Sequence, residues 1–335
     1  MRNHFLDTHK AILIFLVVFG HFLERMIGWR DPISHTLLGT IYLIHMPAFI
    51  FVSGILYKDK NWLKNTLFFL SLYIPFQFLF AVYDGFWSGQ IHWNWNVFIK
   101  PYWVFWYLFA MMAWTCLTHF LLKVSNGFAF IFSLLMAVFI GLSPWNNYLY
   151  SSGRIFVFFP FFIFGVIYGK SVLEKIQQQA TAKYYGLMGL MGLMGLMGLA
   201  AFVYFTHINP YWLYGSLSYS QLKVTVFDGI FIRIFVLILS SFGIVALLSV
   251  TQFFQGKWQK LGIYTLPVYL LHGFVVMWIA RYYQVDFHIF LEILICIILS
   301  ILSCWVLQQA FFDHLLRKMS LWLLNPTARF WRMQK

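Results

Sequence analysis

Charge is scarce in this chain. Only 10% of its 335 residues are charged and only ten are acidic, whereas an average soluble domain is about one quarter charged. That scarcity excludes a water-exposed globular surface over most of the length. Cysteine is nearly absent too: Cys116, Cys296 and Cys304 are the three present. Each lies inside an apolar run, which argues against a disulfide framework. Short segments of alternating apolar and polar residues, the signature of a transmembrane barrel, do not occur. The longest interruptions between apolar runs, near 85–100 and 206–226, are too short for a soluble domain. They are rich in aromatic residues (Trp87, Trp93, Trp95, Tyr211, Trp212, Tyr214). Such loops suit first an interfacial aromatic belt and second stacking against a sugar face at the outer mouth.

What the chain has in abundance is apolar sequence. Hydrophobic residues make up 61% of it, in recurrent runs of roughly 20, the length that crosses a bilayer. Backbone groups in hydrocarbon must be paired internally, so these runs are expected to be helices. Ten spans are predicted, at 10–27, 36–57, 64–84, 101–121, 127–143, 154–170, 184–205, 227–250, 261–281 and 287–312. An even number puts both termini on one side. With that side cytoplasmic, inner loops and helix ends hold 16 of the 23 Lys and Arg residues, among them Lys10, Lys58, Lys60, Lys257 and Arg317. The positive-inside rule therefore sets the orientation. The +13 net charge then reads as a cytoplasmic rim facing membrane lipids rather than a nucleic-acid footprint. The first run contains His21, is followed by Glu24 and Arg25, and lacks a small-residue cleavage site, so it is expected to be the first span and not a signal peptide. The fold expectation is all-α: a polytopic membrane bundle of about ten transmembrane helices with both termini cytoplasmic. Residues 1–315 form one membrane domain and 316–335 a basic cytoplasmic tail.

One low-complexity segment repeats Gly-Leu-Met from Gly186 to Gly198. Its period of three sets glycines on a slowly rotating stripe, where small residues permit close helix approach. It carries no chemistry.

Polar residues inside the spans are costly in lipid and so point to function. Lys10 and His21 are eleven residues apart, almost three whole turns, which puts both on one helix face about 16 Å apart. Asp7 lies one turn before Lys10, placed to hold it. The second span carries His45-Met46-Pro47, then Ser53-Gly54, and reaches Lys58 at its inner end. His45 is about 20 Å from Lys58 by helical rise, and His272 lies at a similar depth in the ninth span. Three histidines on three helices thus share a depth. Each also has a plainer reading: a lone histidine can simply hydrogen-bond a neighbouring helix, Ser53-Gly54 can be a close-packing pair, and Arg154 can be a snorkelling anchor.

A family resemblance bears on that choice. Asp7-Thr-His-Lys10 through His21, with ten residues between cation and imidazole, resembles the Arg/Lys-x10-His signature of the membrane acyltransferase-3 family. His45-Met-Pro-Ala-Phe-Ile-Phe-Val-Ser53-Gly54 is similar to its second-helix segment ending in Ser-Gly, and Trp106-Tyr107-Leu108 to its Trp-Phe-Leu segment. Arg154 through Pro160 to Gly165 resembles a segment of the fucose 4-O-acetylase branch, and Tyr264 through Tyr269 to His272 a late Tyr-x-x-His segment. The five occur in family order. Two departures stand out: Lys10 replaces the commoner arginine, which forfeits bidentate phosphate pairing, and Ile55 stands where an aromatic is common. Some longer relatives carry an appended extracytoplasmic esterase-like domain, which is not expected here.

The resemblance implies transfer of an acyl group, usually acetyl, from cytoplasmic acetyl-CoA or another acyl-CoA to a hydroxyl of an envelope polysaccharide or lipid-linked sugar, at a bacterial cytoplasmic (inner) membrane. Lys10 and Lys58, with Asp7 holding Lys10, would bind donor phosphates. His21 would act as general base or as a transiently acylated carrier, a role suited to imidazole because its pKa ordinarily lies near neutrality. His45 or Ser53 would donate to the thioester oxygen. Arg154, Trp106 and His272 would face the acceptor. No metal is expected. A different class remains open at this point: a transporter or flippase for a lipid-linked sugar would also need buried polar residues, although no inverted-repeat symmetry appears between the halves. A glycan polymerase would need a long outer loop that is absent.

Overall fold

The computed structural model describes residues 3–89, 99–144, 146, 148–180, 185–254, 256–284 and 287–332. Trp93, Trp95 and Lys183 lie outside these residues. Every apolar run is wound into helix, and polar residues at the breaks set the ends. The order is α1 (His4–Met26), α2 (Pro32–Leu56), α3 (Trp62–Ser88), α4 (Trp106–Leu122), α5 (Asn126–Phe139), α6 (Ser152–Ala180), α7 (Tyr185–Thr206), the short α8 (Pro210–Tyr214), α9 (Val226–Thr251), the short α10 (Gln259–Ile263), α11 (Thr265–Tyr282), α12 (Ile289–Leu307) and α13 (Ala310–Arg332). No strand occurs among the described residues. At the start of α1 the Asn3 side chain accepts from Leu6 N at 3.1 Å. This helix begins six residues earlier than the hydrophobic run suggests, so Lys10 sits in its second turn rather than at its end. At the start of α2 the Asp31 carboxylate accepts from Ile33 N and Ser34 N, each at 2.8 Å. Pro32 takes the first position, where a missing N–H costs nothing.

Eight helices among the described residues are long and apolar enough to cross a membrane. The other two expected spans depart from that pattern for identifiable reasons. α5 with its 3-10 extension covers only Asn126–Leu142. α11 carries Tyr269, His272 and Arg281 among its 18 residues. Both nonetheless run from one end of the bundle to the other. The far end of α5 receives a hydrogen bond from Tyr219 N to Gly141 O at 2.7 Å. α11 starts beside Lys10, where Thr265 and Lys10 line one cavity, and ends where Arg281 donates to Trp87 O at 3.1 Å. The predicted ninth span is broken at Tyr264 between α10 and α11. Pro267 cannot donate to the Ile263 carbonyl, so the helix stops and restarts with the proline in its first turn. The tenth span ends at Leu307, and the segment expected as a basic tail is helical through Arg332. Ser320 of α13 is buried, with its hydroxyl 2.5 Å from that of Ser71 on α3.

α1 is central, wrapped by α2, α10, α11 and α12. Small residues set the closest contacts. A Cβ on Gly54 of α2 would run into Phe162 O of α6, and one on Gly165 of α6 would run into Phe51 O of α2. Those backbones therefore touch, which is how helices associate where lipid removes a hydrophobic driving force. The Gly-Leu-Met stripe works the same way: a Cβ on Gly192 of α7 would meet Ala246 O of α9.

Candidate functional site

Two cavities open within the bundle, one toward each end of α1. The larger, about 560 Å³, is lined by His21, Glu24 and Arg25 of α1, Tyr42, His45 and Met46 of α2, residues 100–103 and 106, Tyr148, Arg154 and Phe158, and Leu213 and Tyr214. The smaller, about 300 Å³, is lined by Lys10 and by Phe49, Val52, Ser53, Leu56 and Tyr57, together with Tyr107, Thr115, Thr265 and Tyr269 among others.

At the larger cavity the imidazole of His21 is held from several sides. Its Nδ1 lies 3.1 Å from Tyr42 Oη and 3.5 Å from Glu24 Oε2. Tyr42 spends its own proton on Glu24 Oε2 at 2.6 Å, so Tyr42 Oη can only accept from His21. Nδ1 therefore carries the proton and Nε2 is left as the bare, basic nitrogen. The Glu24 carboxylate is itself fixed by Tyr214 Oη, which donates to Oε1, and by Trp29 Nε1 at 3.4 Å. Burial, reinforced by the Glu24 charge, pushes the Tyr214 phenol well up from its ordinary pKa, which keeps it a donor. Behind His21 the ring of His272 stacks at 5.4 Å and 19°, and the edge of Trp103 closes the other side at 4.5 Å. His272 is fully buried and shares its Nδ1 proton between Val268 O (3.0 Å) and Tyr269 O (2.7 Å).

The sequence folds this way for local reasons. Residues Trp103–Phe105 form a 3-10 turn that leads into α4. In such a turn positions three apart eclipse, so Trp103 and Trp106 reach the same cavity. Gln77 of α3 pins the approach: its Oε1 accepts from Tyr102 N at 3.1 Å and its Nε2 donates to Lys100 O at 2.9 Å. Arg154, near the start of α6, lies over Trp106 and Tyr148, each at 5.3 Å.

The predicted site residues divide between the two ends. His21, His45, Arg154 and Trp106 share the larger cavity, and His272 joins them through its stack on His21 rather than by lining the cavity itself. His45 donates from Nδ1 to Ile41 O at 2.7 Å. Its free Nε2 is then an acceptor, not the donor to a thioester oxygen that was expected of it. Ser53 does not join the histidines. It lies two turns further along α2 in the smaller cavity, where its hydroxyl is 2.8 Å from Phe49 O and 2.6 Å from Tyr107 Oη. Lys10 lines that same cavity and pairs with the buried Asp7 at 2.8 Å. Lys58 is exposed and lines neither cavity, because α2 ends at Leu56 and Tyr57 turns extended.

Sequence reasoning gave no role to Glu24, Tyr42 or Trp103, and placed Tyr214 only among the aromatic residues of an outer loop. Two of these carried a usable signal: Glu24 is three residues after His21 and Tyr42 three before His45, so each shares a helix face with its histidine. Trp103 is brought in by a 3-10 turn and Tyr214 by the short α8, with no periodicity to expose them.

Aromatic rings lie between the cavities. Phe49, Tyr107 and Tyr269 face one cavity, with ring separations of 5.6 Å and 5.3 Å. Tyr269 lies 6.2 Å from His272, which stacks on His21 at the other cavity. A continuous series of rings thus connects the Lys10 end to the His21 end. Comparison with known proteins found no match among curated proteins or solved structures. A family model described as an acyltransferase domain, that of the acyltransferase-3 family, matches residues 3–309, nearly the whole chain. The chain belongs to the acyltransferase-3 family and is a membrane acyltransferase.

Proposed function

We propose that this enzyme moves an acyl group, acetyl in the first instance, from acyl-CoA at the Lys10 cavity to a hydroxyl of an envelope polysaccharide or lipid-linked sugar in the larger cavity. The Lys10 end faces the cytoplasm of a bacterial cell, and the larger cavity opens outward. The observation that carries this reading is the hydrogen bonding of His21: Nδ1 is held by Tyr42 and Glu24, which leaves Nε2 as the basic nitrogen. That arrangement suits a base on a hydroxyl, with a carboxylate stabilising the imidazolium that forms. Lys10 and His21 stand about 16 Å apart on one helix, a distance that the phosphopantetheine arm of coenzyme A can bridge from a phosphate at Lys10.

In the transfer step His21 Nε2 takes the proton of the acceptor hydroxyl as its oxygen adds to the thioester carbonyl carbon. Collapse breaks the carbon–sulfur bond, and the leaving thiolate recovers that proton from the imidazolium. The products are an ester and free coenzyme A. His45, an acceptor at Nε2, would accept from a second hydroxyl of the acceptor sugar and so orient it. No place in this scheme falls to Lys58, and Ser53 would touch the donor arm only.

The test is release of free coenzyme A from acetyl-CoA by the purified chain, and transfer of labelled acetyl to glycan in membrane vesicles. His21→Ala should lower both by at least about a hundredfold, the scale lost with a general base, at unchanged protein level by immunoblot. Retention of more than about a tenth of the rate would leave His21 structural. A chain that carries sugar across vesicles without consuming acetyl-CoA would be a transporter instead. Lys10→Ala should raise the acetyl-CoA KM more than it lowers kcat, and Lys10→Arg should restore donor binding.

A further inference from the structure

The larger cavity holds more positive charge than acyl transfer to a neutral sugar requires. Arg25, Lys100 and Arg154 line it against one carboxylate, Glu24. That carboxylate is already engaged by Tyr42, Tyr214, Trp29 and His21. None of the three cations comes within ion-pair distance of an acid among the described residues. Each lies instead over an aromatic face: Arg25 over Trp103 at 4.5 Å, Lys100 over Tyr148 at 5.9 Å, and Arg154 between Trp106 and Tyr148. A ring fixes a guanidinium by its face and leaves the N–H groups of its edge free to donate, in the fork geometry that matches a carboxylate or phosphate. The contrast with Lys10 is direct, since that cation is held by Asp7 at 2.8 Å.

We infer that the acceptor carries an anionic group, a carboxylate or a phosphate, held by Arg154, Arg25 and Lys100 while its hydroxyl meets His21. This rests on the reading of the larger cavity as the acceptor site. Arg154 is partly buried with no carboxylate within ion-pair distance among the described residues, which is costly unless a ligand supplies the counter-charge. Arg25 and Lys100 are exposed and add attraction at the cavity mouth. The anion and the reacting hydroxyl then fix the sugar at two points. Recognition by charge also favours capture from a dilute, polyanionic surface, because a cavity lined by one sign of charge raises the local concentration of the opposite sign.

The experiment measures equilibrium binding to the purified full chain in neutral-lipid nanodiscs, without acyl-CoA. The probes are methyl glucuronide, glucose 1-phosphate and methyl glucoside, which differ in the anionic group. At least one anionic sugar should bind about tenfold or more tighter than methyl glucoside, with the gap narrowing as salt rises. Preference for the glucuronide identifies a uronic-acid-type acceptor, and preference for the phosphate a sugar phosphate such as a lipid-linked one. Arg154→Gln should remove the preference. The double variant Arg25→Gln with Lys100→Gln changes exposed side chains and answers the same question if Arg154→Gln misfolds. Equal binding of the three sugars overturns the inference. So does one-for-one displacement of the anionic sugar by coenzyme A, which would make these cations the donor's. Because binding is read without turnover, a chain that discriminates the sugars yet never consumes acetyl-CoA would defeat the transferase reading and leave the anion site standing.

Discussion

At His21 a single carboxylate decides the chemistry of the site. Glu24 makes Tyr42 a donor to itself, and this forces Tyr42 Oη to accept from His21 Nδ1. Glu24→Gln keeps the size of the side chain but removes the charge that balances an imidazolium. Its amide nitrogen, turned toward Tyr42 or Tyr214, would also set donor against donor. The expected outcome is a fall in kcat of about a hundredfold with the acetyl-CoA KM changed less than about twofold, measured by thiol release across a range of acetyl-CoA concentrations. An equal effect on KM would mean that Glu24 shapes donor binding instead. At this scale the Lys10–His21 spacing could be read from helical periodicity alone, and so could the Asp7–Lys10 pair. The partners of His21 were harder to see. Glu24 shares its face by the same arithmetic, but beside Arg25 it resembles an ordinary helix end. Ser53 shows the opposite failure. It follows His45 closely in the same sequence segment, yet eight residues of helix carry it about 12 Å away and into the other cavity.

Between α2 and α6 the helices meet through bare backbone, and that contact sets the distance between His45 on one and Arg154 on the other. Gly54 and Gly165 are the touching positions, each blocked by a carbonyl of the partner helix. The Ser-Gly and Phe-Gly endings of two sequence segments are thus packing surfaces, whatever else they border. Gly54→Leu should push α2 from α6, with an overpacking cost of about 3 kcal/mol or more. The check is a lower thermal-denaturation midpoint for the detergent-purified variant, together with loss of transfer. The same substitution at Gly198, whose added Cβ would meet nothing within 4 Å, should leave the midpoint within a degree or two of wild type. Helix existence and order were open to sequence reasoning because each apolar run is long and bounded by polar residues. The exact ends were not, since they follow from caps such as Asn3 and from proline. The break at Tyr264 and the helical course of 310–332 illustrate this. α13 is amphipathic, so its moderate overall hydrophobicity reads as a tail until Ser320 is seen against Ser71.

Across the whole molecule, loops separated by an even number of crossings should lie together, and the tertiary contacts follow that rule. Thr8 Oγ1 donates to Lys257 O at 3.2 Å, His119 Nδ1 lies 2.9 Å from Asp59 Oδ1, and Lys260 Nζ donates to Gln309 Oε1 at 2.8 Å, all at the Lys10 end. At the other end Trp29 Nε1 donates to Tyr214 Oη at 2.9 Å, and His35 Nε2 lies 3.1 Å from Ile208 O. Ten end-to-end passages account for this sorting, eight by the long apolar helices and two by α5 and α11. The charge bias of the loops then says which end is inside. Single cysteines placed in a chain freed of Cys116, Cys296 and Cys304 test both statements. Arg30→Cys and Ser220→Cys, at exposed positions of the Arg154 end, should react with a membrane-impermeant maleimide in intact cells. Lys60→Cys and Lys257→Cys, exposed at the Lys10 end, should react only after the membrane is opened. Labelling of all four with the sides exchanged would invert the molecule and put the Lys10 cavity outside. Acyl-CoA could then not reach it from the cytoplasm, and the assignment of donor and acceptor cavities would have to be exchanged. Mixed labelling within either pair would instead mean that α5, which lies between the members of both pairs, does not cross.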